Sequence, residues 1–396
     1  VTAAFVFLGG LVLAVALEAL AVGALRALRR RPRAEAPSAP APLVSIIKPL
    51  CGLDARLEDN LESFFRLDYP AFEIVFSFAS AEDPALTAAR RVSDRHPEVP
   101  ATFVVDSREP GLNAKVNRLA FGLARARGTF FLLADGDVRV GRNFLSNAVS
   151  LAADPSVGLV SHLFRAVGGS TLGARLEALY LDGILRPGTA AVAVVLRRPC
   201  VVGKAILLRR AAFQSIGGLS ALRDHLAEDF LLGQLVDRAG YRVVLSPDEV
   251  ETPLGARTAR TAWLRHRRWA ILRSRLGGLA YASEAFSSPV PFVAGAILCA
   301  SGAPPIVLAA LLLWACRIGL EAAALAGGRE RFRPVDVLAI PLRDVAAAAL
   351  FWAGLLGRRT RWRGRTLKVG AMTRLEIDSG GRRRAPAQPA APILGR

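Results

Sequence analysis

Four short stretches of this 396-residue chain hold residue types whose spacing suits chemistry. Asp135-Gly136-Asp137 follows the apolar run FFLLA. Hard divalent cations take carboxylate oxygens and bridge them to substrate phosphates, although the same three residues also make an ordinary turn. Residues 111–117 (GLNAKVN) set Asn113, Lys115 and Asn117 at alternate positions where a helix should start. Backbone N–H groups and an ammonium there could hold an anion. His225 to Leu231 (HLAEDFL) places Glu228 and Asp229 side by side in apolar surroundings. Burial raises the proton affinity of a carboxylate toward that of a general base, and a capping or salt-bridged pair is the other reading. Leu264 to Trp269 (LRHRRW) opens a basic and aromatic stretch that runs on to Leu276. Trp263, Trp269, Ile271, Leu272 and Leu276 are expected to sink into lipid headgroups while the arginines face phosphates.

The elements that must position these groups are legible as alternation. LVSIIK, FEIVFSF, ATFVV and TFFLLA read as buried strands, and 57–66, 84–95 and 113–126 read as helices. This pattern predicts an α/β domain over about 43–245 with a mostly parallel sheet. Such sheets bind ligands beyond the carboxyl ends of their strands, where Glu82, Asp83, Asp135 and Asp137 fall.

The formal charge of +19 is crowded, with five arginines in 26–33 and eleven basic against two acidic residues in 358–396. A nucleic-acid binder spreads basic residues over its folded surface; here they flank apolar runs, which suits anionic lipid headgroups and sets nucleic acid aside. Thr2 to Leu25 is almost wholly apolar, long enough to span a bilayer, and the arginines after it place the next segment in the cytoplasm. Pro32 to Pro42 reads as an extended linker. Phe286 to Gly328 predicts a two-pass hairpin broken at Gly302, Pro304 and Pro305, with Arg329, Arg331 and Arg333 back on the cytoplasmic side. Val335 to Gly357 contains Pro341, Arg343 and Asp344, so it either spans or re-enters. From Gly380 onward the composition predicts disorder. Cys51, Cys200, Cys299 and Cys316 include no CxxC pair, which excludes a zinc cage or a disulfide framework.

In this order, the strings VSIIKPLCGLDARLEDNLESFFRLDYPAFEIVFS, EDPAL, GLNAKVN, ADGDVRV, CVVGKAILLRR, GGL, LAEDFLLG and RHRRW resemble the ceramide glucosyltransferase family, with its D, D, D, (Q/R)xxRW pattern. Hopanoid-associated glycosyltransferases share much of that architecture. The resemblance implies a GT-A-like, Rossmann-type α/β catalytic domain with N-terminal and C-terminal transmembrane helices. It divides the chain into an anchor (1–28), a basic Pro/Ala linker (29–42), a cytoplasmic catalytic domain (43–255) and a basic interfacial region (256–285). Membrane segments (286–357) and a basic, partly disordered tail (358–396) follow. The whole is expected as a multi-pass protein of the bacterial inner membrane.

The resemblance also implies site residues. Asp83 is expected near the uracil and ribose of a UDP-sugar, with Pro49, Asn113 and Lys115 in the donor pocket. Asp135 and Asp137 would hold Mg²⁺ or Mn²⁺ against the diphosphate. Asp229 would be the general base of an inverting transfer, and Arg265, Arg268 and Trp269 would close over diphosphate and acceptor. The implied reaction moves a sugar, glucose first, to a ceramide-like hydroxyl as a β-glycolipid. N-acetylglucosamine or another sugar passed to a hopanoid or polyprenyl lipid is the alternative. One departure stands out: LEALY, residues 176–180, runs into LDGILRPGT without the histidine that eukaryotic members carry there.

Overall fold

The computed structural model describes residues 2–31, 41–326, 333, 335–362 and 365–377, without side chains for Leu279 and Ala280. Most of the expected linker, Arg329, Arg331 and the segment from Gly380 lie outside the described residues. The chain forms two compact units. One comprises Arg29–Arg165, Arg197–Gly255 and the chain from Arg359; the other comprises Val1–Leu28, Ala166–Leu196 and Ala256–Arg358. Residues 166–196, read from sequence as part of the 43–255 domain, thus belong with the apolar helices.

The first unit is built on seven strands: β1 (Val44–Pro49), β2 (Phe72–Phe78), β3 (Ala101–Val105), β4 (Phe130–Ala134), β5 (Val157–Val167), β6 (Ala205–Arg209) and β7 (Arg242–Pro253), in the order β3-β2-β1-β4-β6-β5-β7. β1 pairs in parallel with β2 and β4, and β2 with β3. β6 runs antiparallel to both β4 and β5, so the sheet is parallel on one side only. Successive side chains leave a strand on opposite faces. Ile46, Ile74 and Leu132 accordingly enter one core layer, with Leu61 and Phe64, while Ile47, Val75 and Leu133 enter the other, with Leu119 and Leu232. Covering both faces is what makes these strands continuous apolar runs.

The start of the basic tail, ahead of the segment expected to be disordered, adds a second small sheet to this unit. β8 (Arg359–Trp362), β9 (Arg365–Val369) and β10 (Leu375–Ile377) form an antiparallel sheet in the order β10-β9-β8.

In the other unit, helices Thr2–Arg29, Pro304–Ala326 and Asp336–Leu356 are long and apolar enough to cross a membrane. The hairpin expected over 286–328 is not two spans: its first arm is the ten-residue helix Val290–Cys299. Ten helical residues rise about 15 Å, half of a hydrocarbon core about 30 Å thick. Val335 to Gly357, ambiguous in sequence, contains an unbroken 21-residue helix that tolerates Pro341.

The charges that made that segment ambiguous are paired. Arg317 contacts Asp344 at 3.1 Å, and Glu18 and Glu321 each at 3.6 Å, while Arg343 contacts Glu321 at 2.5 Å and Asp344 at 3.1 Å. Arg343 also donates to the Leu179 carbonyl and Arg317 to that of Ser287. Ionisable groups at membrane depth persist when they pair with one another and with carbonyls inside the protein.

Candidate active site

The Asp135-Gly136-Asp137 turn leaves β4 with its backbone fastened by neighbouring elements. Lys48, fully buried on β1 and 3.6 Å from the centroid of the Phe64 ring, donates to the Asp135 carbonyl at 2.9 Å. Asn60 Nδ2 donates to the Gly136 carbonyl, and the Asp135 N–H donates to the Lys204 carbonyl. With the main chain held this way, what distinguishes the turn chemically is the surroundings of its two carboxylates.

Both face ammonium groups. Because β6 runs antiparallel to β4 with Ala205 opposite Ala134, Lys204 stands beside the turn. Its Nζ lies 2.5 and 2.6 Å from the two oxygens of Asp137, and 3.7 Å from Asp135 Oδ2. Lys115 Nζ lies 2.8 Å from Asp135 Oδ1, 3.1 Å from Glu228 Oε1 and 3.0 Å from the Gly203 carbonyl. Burial works against the charge on Lys115, but Asp135, Glu228 and Asp229 outweigh it and hold the ammonium above its ordinary pKa. Lys115 is therefore the link between the β4 turn and the second acidic pair.

That pair opens helix Glu228–Arg238, where partial positive charge favours anions. Asp229 Oδ1 accepts from the Phe230 N–H. A β-carbon on Gly203 would stand 2.6 Å from Asp229 Oδ2, so only glycine lets the β6 approach come this close. Burial first, and repulsion from Glu228 second, push the Asp229 carboxyl up to about 6 against the pull of Lys115. A cavity of about 20 Å³, room for about one water, lies between Lys115, Gly203, Glu228 and Asp229 and the apolar Leu119, Leu133 and Leu232.

Asn113 is buried at the start of helix Ala114–Leu123, where Oδ1 accepts from the N–H groups of Lys115 and Val116. Its Nδ2 donates to the His225 carbonyl at 2.6 Å and to Glu228 at 3.2 Å. Asp83 caps helix Pro84–Asp94, and its Oδ1 also accepts from the Gly52 N–H, tying the loop after β1 to the one after β2. Pro49 ends β1 opposite Ser77. Asp83, Asp135 and Pro49 thus all lie at the carboxyl end of the parallel half.

Arg265, Arg268 and Trp269 belong to the other unit, on helix Ala259–Gly277. Within the stretch expected to face lipid phosphates, Arg265 and Arg268 are buried. Glu177 accounts for the Arg265 side: its Oε1 lies 2.8 Å from Arg257, 3.4 Å from His266 and 3.7 Å from Arg265. Burial would raise the Glu177 carboxyl, yet His266, Arg265 and Arg257 hold it down at about 2. The Arg265 guanidinium covers the Trp269 ring at 4.8 Å, and His266 packs edge-on against Tyr180. An imidazole does therefore reach Tyr180 of the LEALY string, supplied by the RHRRW helix.

For a divalent cation the donor set is partial. Asp135 and Asp137 supply hard oxygens, but Lys204 engages both oxygens of Asp137. Among the described residues, no group of three or more His, Cys, Asp or Glu could hold a metal. Such a site fits a cation that takes one or two protein carboxylates and completes its shell with phosphate and water.

The sequence profile of glycosyl transferase family 21 matches residues 11–375. The chain belongs to glycosyltransferase family 21. Over 233 residues this family 21 chain is 27% identical to ceramide glucosyltransferase 1 of Caenorhabditis elegans, covering 59% of the chain and 50% of that relative. Over 336 residues it is 24% identical to ceramide glucosyltransferase 3 of the same organism, covering 81% and 72%. The fold matches a mannosyltransferase, PcManGT of Pyrobaculum calidifontis, solved with GDP-mannose and Mn²⁺. The TM-score is 0.54 and the identity 22%, over 90% of this chain and 98% of that one. The fold is GT-A-like.

Sequence reasoning did not single out Lys48, Asn60, Gly203, Lys204 or Glu177. Lys204 and Glu177 carried a signal, each a lone charge inside or at the edge of an apolar run, CVVGKAILL and LEALYL.

Proposed function

We propose that the chain is a membrane-bound inverting glycosyltransferase that moves glucose from a UDP-sugar to the hydroxyl of a ceramide-like lipid at the cytoplasmic face. The observation that carries this reading is the convergence of Asp135 and the Glu228/Asp229 pair on Lys115. In the reaction, Asp229 accepts the proton of the acceptor hydroxyl as that oxygen bonds to the anomeric carbon. The bond from that carbon to the diphosphate breaks on the opposite side, leaving UDP and a β-glycoside. The raised Asp229 pKa keeps the base strong and still ionised near neutral pH. Lys115 stabilises negative charge developing on the leaving group. Asp135, with Asp137 beside it, would hold a divalent cation, which when bound would add charge neutralisation at the diphosphate. Asp83 and Pro49, at the carboxyl end of the parallel strands, would flank the nucleoside.

Topology supports one face for the catalytic parts. Helices Pro304–Ala326 and Asp336–Leu356 are each long and apolar enough to cross, and two crossings would return the chain to the side it left. β8–β10 then pack with residues 224–227 in the same unit. Exposed Arg26, in the last turn of the first apolar helix, and Arg30 and Arg31 just after it suit anionic headgroups on that face.

The test is transfer by the purified protein in lipid nanodiscs, offering UDP-glucose or UDP-N-acetylglucosamine with ceramide, a hopanoid or a polyprenol. β-Glucosylceramide, assigned by mass and by the anomeric proton coupling, is the expected product. Absence of transfer from any of these donors overturns the reading.

A further inference from the structure

Helix Glu228–Arg238 begins without a side-chain cap of its own, since the preceding residue is Ala227. The groups that fix its start come from the turn between β9 and β10. The Ala227 N–H donates to Thr373 Oγ1 at 3.1 Å and the Leu226 N–H donates to the Thr373 carbonyl at 3.0 Å. His225 Nδ1 lies 2.8 Å from the Met372 carbonyl, and the Leu375 N–H donates to the Asp224 carbonyl at 2.7 Å. All four residues before the acidic pair are thus fastened to residues 372–375.

The turn adopts a conformation that its residues do not prefer. Met372 and Thr373 have φ of 48° and 60°, and a β-branched residue in the left-handed region is a steric outlier. Thr373 is also completely buried. Backbone conformations of this kind persist where the surroundings over-determine them, and they concentrate at functional sites. From the other side, the Leu112 N–H donates to Asp224 Oδ1 and Asn113 Nδ2 to the His225 carbonyl. Residues 224–227 are therefore clamped between Leu112 and Asn113, which lead into the Lys115 helix, and the β9–β10 turn.

We propose that the β9–β10 turn is a built-in clamp for the acidic pair, with Thr373 the positioning residue that sets where Asp229 stands relative to Lys115 and Gly203. The proposal rests on Asp229 being the base of the transfer reaction. Thr373 touches no reacting atom; its hydroxyl fixes the amide two residues before Asp229, and a helix start freed by one hydrogen bond shifts the carboxylate on its first turn. Small displacements of a reacting group are costly to rate without being costly to binding.

The test compares Thr373→Val, which keeps the branched shape and removes the hydroxyl, with Thr373→Ser, which keeps the hydroxyl. The expected result for Thr373→Val is a turnover at least tenfold lower, with KM for the UDP-sugar within twofold and the folded fraction unchanged; Thr373→Ser stays within threefold of the parent turnover. Should the valine variant fail to fold, Thr373→Ala is read in its place. Full turnover in the hydroxyl-less variant, a loss that merely follows the folded fraction, or equal losses in the Val and Ser variants overturns the clamp. Asp229→Asn is measured alongside. If it retains turnover, the base assignment falls and the clamp falls with it; if it is inactive while Thr373→Val is fully active, the clamp alone falls.

Discussion

Lys204 grips both carboxylate oxygens of Asp137, at 2.5 and 2.6 Å, in a pair whose members are 4% and 2% exposed. Removing one partner of such a pair strands a buried charge, whereas removing both does not. Lys204→Met is therefore expected to destabilise the protein by about 3–5 kcal/mol. The double variant Lys204→Met/Asp137→Asn should lose much less than the sum of the singles. Denaturant unfolding of the four proteins in one detergent decides it, and additive losses would dissolve the pair as an energetic unit.

Asp229, with its pKa raised to about 6, must be ionised to act as a base. Turnover should therefore fall as pH drops through about 6 and level off above it. Asp229→Asn should lower turnover by two or more decades while UDP-sugar binding, followed by calorimetry, changes little. A pH–rate profile flat from about 5 to about 8, with the folded fraction followed alongside, would remove Asp229 from the chemistry.

Gly203→Ala introduces a β-carbon 2.6 Å from Asp229 Oδ2. The carboxylate has to turn away or the helix start has to shift, so turnover should drop at least tenfold, a loss of about 1.4 kcal/mol in transition-state stabilisation. The thermal midpoint should move far less than for a core cavity. An alanine variant with parental turnover would show that Asp229 has room to spare.

Glu177 gathers Arg257, Arg265 and His266 with no side-chain exposure of its own. Glu177→Gln should cost about 3–5 kcal/mol at neutral pH, because the basic groups lose their buried counter-charge. The folded pKa is held at about 2, below the ordinary carboxylate value of 4.5, so the stabilisation is full above about 4.5 and is lost as pH falls toward 2. Thermal midpoints of parent and variant should converge over that descent. A gap that persists unchanged at pH 3 would assign the loss to packing.

How far the sequence spoke depended on the range of the interaction. β1 to β4 were legible because strands covered on both faces are unbroken apolar runs between turn residues. β5 went unread because His162 and Arg165 interrupt VGLVSHLFRAV, and the burial that lets it act as a strand comes from β6. Asp135, Lys115 and Glu228 were each visible as residue types, and folding brings them into contact. That Lys204 would engage Asp137 depends on an antiparallel register no local pattern encodes. The ordered β8–β10 sheet was hidden beneath a composition dominated by arginine. Likewise, the short arm Val290–Cys299 looked like half of a hairpin because hydropathy counts apolar residues without registering where a helix stops.

The ionic cluster of Glu18, Arg317, Glu321, Arg343 and Asp344 also orders events in time. Glu18 precedes the seven-stranded sheet in the chain, and the Arg317 guanidinium that pairs with it follows that sheet. Until Arg317 has been made, the first apolar helix carries Glu18 without this counter-charge. The circuit of charge therefore closes only once helices Pro304–Ala326 and Asp336–Leu356 have both been made, just ahead of the β8–β10 sheet.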